Sequence, residues 1–342
     1  MRLADLKAAR MKPYAAVAFC LTGRCVAKCR HCSVRAGWNG TSAADPVNIE
    51  RWIRSIGEVA SVEVIGITGG EPFIEEQALC AALSRAQQTG VLTVVYTSAY
   101  WAESESAARN VLARLPHIDL LEISTDVFHE EFVPLSNVAF AAAAALEAGT
   151  GVWLQINKFQ SQEFSARLRK AVGQAIIDAV DLSYAPLLKV GRAADLKLGG
   201  PDRYTKELPV SRCDMLTSPL VRPDGSVLAC CSEEVYSEPK ASSLHLGSLN
   251  QKRFADIIRL ACDNPLFLAF RTFGPAYVAE IARGLGWSCG VYREGNICDL
   301  CRHLLADPDL VFKLTALFSL PDQRRLATLA AEYLEAASEL PK

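Results

Sequence analysis

Six short β-rich apolar runs, at 15–21, 62–68, 91–97, 120–124, 152–157 and 182–188, alternate with segments of helical pattern. The helical segments fall at 46–58, 74–88, 103–115, 136–148 and 163–179. Strands separated by helices predict a parallel sheet with helical crossovers, its strands buried on both faces. Six such units fall short of the eight that close a full β/α barrel. The expected fold class is therefore α/β, with its chemistry on loops at the C-terminal ends of the strands, as in a β/α barrel. Ser136 or Asn137 is the expected N-cap of the helix that carries Ala141 to Ala145.

The loop after the first run carries Cys25, Cys29 and Cys32, spaced C-x3-C-x2-C. Soft thiolates at that spacing select an iron–sulfur cluster or zinc, and spacing alone leaves both open. Cys20 lies back in the apolar run, so a four-iron cluster held here would keep one iron free to bind a ligand. Gly69-Gly70-Glu71-Pro72 ends the second run. Two glycines let backbone approach a ligand closely, and Glu71 offers the charge an ammonium group needs.

Together the two motifs resemble the radical S-adenosylmethionine (SAM) superfamily, which implies a partial (β/α)6 barrel. That resemblance implies that Cys25, Cys29 and Cys32 hold a [4Fe–4S] cluster, and that Gly69, Gly70 and Glu71 bind SAM. His31 fills the place before the third cysteine, where the family usually has an aromatic ring. Ser124 and Asp126 end the fourth run on one face, at a position that often bonds the ribose in this family, although a helix cap is the alternative. Gln155, paired with Asn157 on the fifth run, could reach the SAM carboxylate or ribose. Tyr184 to Leu187 could meet the adenine or simply pack in the core.

Beyond 199–202 the strand–helix rhythm stops. Asp224-Gly225 between two apolar runs predicts a hairpin, and helices are expected at 254–262, 265–285, 304–318 and 321–340. Cys213, Cys230, Cys298 and Cys301 resemble the ligands of the SPASM/Twitch auxiliary-cluster domains, the last two closing the site from a loop. Four thiolates would saturate a second [4Fe–4S] cluster, with zinc as the alternative. The resulting division is 1–200 for the barrel, 201–305 for the auxiliary-cluster domain with a helical insert, and 306–342 for terminal helices. Cys289 could substitute for a late ligand.

Adjacent residues of a strand point to opposite faces, so Cys231 is surplus to that cluster. Ser124-x-Asp126-x2-His129-x2-Phe132, Val190-Gly191 and the Cys230-Cys231 pair resemble the radical SAM epimerases of ribosomally made peptides. In that family the second cysteine of the pair returns a hydrogen atom, which implies a catalytic role for Cys231. The acidic residue expected soon after Cys213 is not matched, Asp214 being displaced. Only 24 residues precede Cys25, too few for a separate leader-binding module, which raises the alternative of a small-molecule dehydrogenase; a peptide thioether or carbon–carbon crosslink is a second alternative. A non-enzymatic metal scaffold is a further alternative. The expected partners are a peptide or small molecule and an electron donor such as flavodoxin or ferredoxin.

Twelve cysteines in 342 residues are too sparse for a secreted disulfide scaffold, which points to a reducing cytoplasm. A net charge of −2 gives no nucleic-acid footprint, and the apolar segment 14–22 is too short to span a bilayer.

Overall fold

β-Branched and aliphatic residues crowd the six runs, and each forms a strand. The computed structural model describes residues 1–196, 203–209, 213, 215–288 and 290–338. The chain divides into two compact units. The first holds Met1–Ala9, Ala15–Leu196 and Val221–Gly225; the second holds Arg10–Tyr14, Lys197–Leu220 and Ser226–Lys342.

In the first unit the strands are β1 (Ala16–Thr22), β2 (Val64–Gly69), β3 (Leu92–Thr97), β4 (Leu120–Ser124), β5 (Gly151–Asn157) and β6 (Asp181–Ala185). Each pairs in parallel with the next, from β1 through to β6. This is the expected partial barrel. Helix α1 (Leu3–Met11) is not foreseen in the sequence reading. Its Leu3, Leu6 and Ala9 pack on Ala15, Val64, Val94, Leu120 and Trp153, near the N-terminal ends of the strands. The crossover helices are α2 (Pro46–Gly57), α3 (Glu76–Thr89), α4 (Glu105–Ala113), α5 (Leu135–Glu147), α6 (Ser161–Val172) and α7 (Gln174–Ala179). On α2, Asp45 accepts from the Val47 amide as N-cap, and Ile49, Trp52, Ile53 and Ile56 form the buried stripe.

Three details differ from expectation. The single helix expected at 163–179 is two, because Gly173 takes φ 85 between α6 and α7. Helix α5 begins at Leu135 after Pro134 with no side-chain cap. Asn137, one of the two expected caps, instead donates to the Tyr100 carbonyl at 3.1 Å.

The second unit carries β7 (Tyr204–Thr205), β8 (Leu220–Val221, which straddles the unit boundary), β9 (Ser226–Leu228), β10 (His245–Ser248) and β11 (Tyr292–Arg293). β9 pairs antiparallel with β10, and β7 with β11. The turn at Asp224-Gly225 closes with the Gly225 amide on the Arg222 carbonyl at 2.9 Å. Its helices are α8 (Phe254–Cys262), α9 (Pro265–Gly284), α10 (Ile297–Leu305), α11 (Pro308–Phe318) and α12 (Pro321–Ser338). Gly274-Pro275 kinks α9, where proline removes a backbone donor. Cys298 and Cys301 stand on α10 rather than in a loop. Asn296 explains the difference, because its side chain caps the helix by accepting from the Asp299 amide at 3.0 Å. No helix among the described residues is long and apolar enough to cross a membrane. Asp214, Cys289 and the segment 199–202 lie outside the described residues.

Because Leu6 is only 2% exposed, Leu6→Ala is expected to cost about 2–5 kcal/mol through lost burial and the cavity left behind. Chemical denaturation measures that loss.

Candidate functional site

The loop between β1 and α2 has neither strand nor helix, so its shape comes from hydrogen bonds to fixed neighbours. The Gly23 amide donates to the Thr41 carbonyl at 2.6 Å, and the Cys25 amide to the Gly37 carbonyl at 3.1 Å. The turn after β2 joins it: the Gly70 amide reaches the Thr22 carbonyl at 2.7 Å and the Glu71 amide reaches the Arg24 carbonyl at 2.8 Å. A Cβ on Gly70 would sit 2.0 Å from that Arg24 carbonyl oxygen, so the approach requires glycine.

Cys25, Cys29 and Cys32 come together on this loop. Burial pushes the Cys25 thiol up to about 11, helped by the nearby charges of Glu71 and Cys32. Burial raises Cys29 further, with Cys25, Cys32 and Asp126 adding to it. Cys25 and Cys29, which resist ionisation in the bare chain, are stabilised as thiolates by a bound cation. The donor set therefore fits an iron–sulfur cluster.

Glu71 is fully buried, and burial raises its carboxyl against four opposing hydrogen bonds. Thr97 Oγ1 donates at 2.8 Å, the Ser98 amide at 2.8 Å, the Ser98 hydroxyl at 2.7 Å and the Phe73 amide at 3.3 Å. Sequence reasoning missed Thr97 and Ser98. They end β3, so the strand-end rule that singled out the other loops applies to them equally.

Ser124 and Asp126 differ in surroundings. The Ser124 hydroxyl donates to buried Glu122, at 3.0 and 3.1 Å. Asp126 Oδ1 accepts from the Phe128 amide at 2.9 Å and the His129 amide at 3.0 Å. The carboxylate also lies between two imidazoles, with His31 Nε2 at 3.2 Å and His129 Nδ1 at 3.0 Å. Burial alone would raise Asp126, but the charge of His129 and the contacts with both histidines hold it well below the usual carboxylate range. His31 stacks on Phe128 with ring centroids 4.7 Å apart. On β5, Gln155 shares a hydrogen bond with Ser183, which also accepts from Trp153 Nε1 at 2.7 Å. Asn157 instead caps its own turn through the Phe159 amide at 2.9 Å, and Tyr184 is 41% exposed and meets Ser165 at 3.2 Å.

In the second unit Cys213, Cys230, Cys298 and Cys301 line one cavity, with Met215, Leu216 and Ser232 among its walls. Burial raises all three of Cys230, Cys298 and Cys301, and at Cys230 and Cys301 the other thiols add to it. Ser232 Oγ lies 3.4 Å from Cys298 Sγ. Arg293 holds α10 in place by a fork onto Glu234, at 2.8 and 2.9 Å, while Arg302 donates to Glu238 at 2.6 Å. Among the described residues, the set of His, Cys, Asp or Glu ligand atoms found within 4.8 Å of one another is His31, Asp126 and His129. Cys231 is absent from the cavity walls; burial raises its thiol, and the charge of Arg10 opposes that.

Residues 19–148 match the radical SAM superfamily. The part of the chain that holds the cysteine loop and the Gly69-Gly70-Glu71 turn is thus similar to a radical SAM domain. YydG of Bacillus subtilis (strain 168), named for a role in peptide biosynthesis, is 21% identical over 223 residues, which covers 63% of this chain and 69% of YydG. Two solved structures share the fold. One is SuiB of Streptococcus suis bound to precursor peptide SuiA, with TM-score 0.54 and 16% identity, covering 79% of this chain and 70% of SuiB. The other is anSMEcpe with bound AdoMet and the Cp18Cys peptide, with TM-score 0.50 and 14% identity, covering 92% of this chain and 98% of that one.

The depressed Asp126 carboxyl contributes stability above its unfolded value of about 3.9, and that contribution is lost as pH falls below it. Asp126→Asn is expected to be about 1–3 kcal/mol less stable than wild type at pH 7. The gap should narrow as denaturation curves are taken from about pH 5 down to 3.

Proposed function

We propose that this enzyme modifies a ribosomally made peptide, converting an L-residue to its D-form, with Cys231 as hydrogen-atom donor. The observation that carries the reading is the pair Cys230-Cys231: one thiol lines the four-cysteine cavity and its neighbour does not. A cluster ligand must be a thiolate, whereas a hydrogen-atom donor must keep its proton. Burial pushes Cys231 toward the protonated form. YydG is named for peptide biosynthesis, and SuiB and anSMEcpe are both described with bound peptides, which supports a peptide over a small alcohol.

Cys25, Cys29 and Cys32 would hold the N-terminal cluster, and Cys213, Cys230, Cys298 and Cys301 the auxiliary one. Cluster and SAM together supply a 5′-deoxyadenosyl radical able to take the α-hydrogen of a peptide residue. Gly69 and Gly70 let the turn close on the Thr22 and Arg24 carbonyls and so would shape the backbone that meets the methionyl end of SAM, while Glu71 would supply the negative charge for its amino group. Ser124 and Gln155 stand at adjoining strand ends as hydrogen-bonding groups for the ribose or carboxylate. Asp126 lies between His31 and His129, and we assign it to hold them. Cys231 Sγ–H gives its hydrogen atom to the opposite face of the flattened α-carbon. One electron from a flavodoxin- or ferredoxin-type donor and one proton restore the thiol. Unbridged thiols of this kind suit the reducing cytoplasm.

With dithionite and SAM under anaerobic conditions, wild type is expected to form 5′-deoxyadenosine. Cys231→Ala should still form it, while deuterium from heavy water no longer enters the peptide. Undiminished product from Cys231→Ala would favour dehydrogenation or crosslinking, neither of which requires a returned hydrogen atom.

A further inference from the structure

Arg192 follows β6 and is tied to the cysteine loop by three hydrogen bonds. Its Nε donates to the Cys29 carbonyl at 2.8 Å and Nη1 to the Ala36 carbonyl at 2.6 Å. Its backbone amide reaches the Cys32 carbonyl at 2.9 Å. The residue before it takes φ +55, and a Cβ on Gly191 would lie 2.1 Å from the Ser33 carbonyl oxygen and 2.4 Å from that of Cys32. Only glycine lets these two backbones meet so closely.

The charge of Arg192 is less well matched than its hydrogen bonds. The guanidinium is partly buried, and its partners among the described residues are carbonyl oxygens rather than a carboxylate. Carbonyls satisfy its N–H groups but leave its positive charge unbalanced, and such a charge withdrawn from water is costly. Thiols are among the nearby groups that could carry the opposite sign, beside the carboxyls of Glu71 and Asp126: Arg192 opposes the upward push on both Cys25 and Cys29.

We propose that Arg192 is a positioning residue that clasps the cysteine loop and supplies the counter-charge of the N-terminal [4Fe–4S] cluster, favouring its reduced form. This rests on the reading of Cys25, Cys29 and Cys32 as that cluster's ligands. Reduction takes one electron from a flavodoxin- or ferredoxin-type donor, makes the cluster more negative by one charge and consumes no proton. A fixed cation beside it therefore favours the reduced state by Coulomb attraction. The fork and the charge are separable: lysine keeps the charge but cannot span both carbonyls, whereas glutamine loses the charge.

The test is an anaerobic redox titration of reconstituted wild type, Arg192→Gln and Arg192→Lys, followed by electron paramagnetic resonance. The N-terminal cluster is identified by the signal that changes on addition of SAM, and circular dichroism reports folding. Arg192→Gln is expected to have a more negative midpoint and to lose iron to a chelator about tenfold faster, the equivalent of one charge-assisted hydrogen bond. Arg192→Lys should lose iron faster as well, yet hold a midpoint near that of wild type. Wild-type behaviour in Arg192→Gln would overturn the proposal, as would a midpoint in Arg192→Lys displaced as far as in Arg192→Gln. If Arg192→Gln folds but takes up no cluster, the lysine midpoint decides: near wild type it supports the counter-charge, and displaced it refutes it. A wild-type enzyme with no SAM-responsive signal would instead remove the cluster reading itself, before any substitution is considered.

Discussion

A loop without regular structure must hold three thiols in fixed relation, and the barrel unit is organised around meeting that demand. Its two ends are joined where Gly23 donates to Thr41. The β2 turn supports it through Glu71 and Arg24. Asp126 at the end of β4 holds His31, two residues after Cys29, and Arg192 beyond β6 grips the carbonyls of Cys29 and Ala36. Every support comes from the C-terminal side of the strands, while α1 packs near the opposite end.

The second unit meets a similar demand differently. There the thiols come from three separate stretches of chain: Cys213, Cys230 after β9, and the first turn of α10. Helical spacing puts Cys298 and Cys301 on one face. The buried Glu234 binds Arg293 and Asn296, which fixes the start of α10 relative to the segment after Cys230. Such a hub is costly to bury, and its partners recover that cost only while all are present.

Much of this was legible in the sequence because strand–helix alternation and short-range cysteine spacing are local signals. The six strands and the Asp224-Gly225 turn fall where apolar patterning puts them. Supports that act across long stretches of chain were not legible. Arg192 acts on a loop about 160 residues earlier, and although Val190-Gly191 beside it was legible as a motif, nothing local shows which carbonyls the arginine meets. Thr97 and Ser98 look like the end of any strand until Glu71 is seen between them. Helix α10 was misplaced because its cap, Asn296, lies in a polar stretch that reads as loop. The break at Gly173 could have been anticipated from the glycine itself, whereas the start of α5 was set by Pro134 and by the engagement of Asn137 with Tyr100.

The central claim is that the polypeptide leaves one iron of the N-terminal cluster uncapped, so that SAM can occupy it. Mössbauer spectroscopy of the 57Fe-reconstituted enzyme, recorded with and without SAM, tests it most directly. The account expects two [4Fe–4S] clusters, with a single iron changing its signature when SAM is added. Bound zinc in place of iron, or a spectrum in which every iron site ignores SAM, would contradict it.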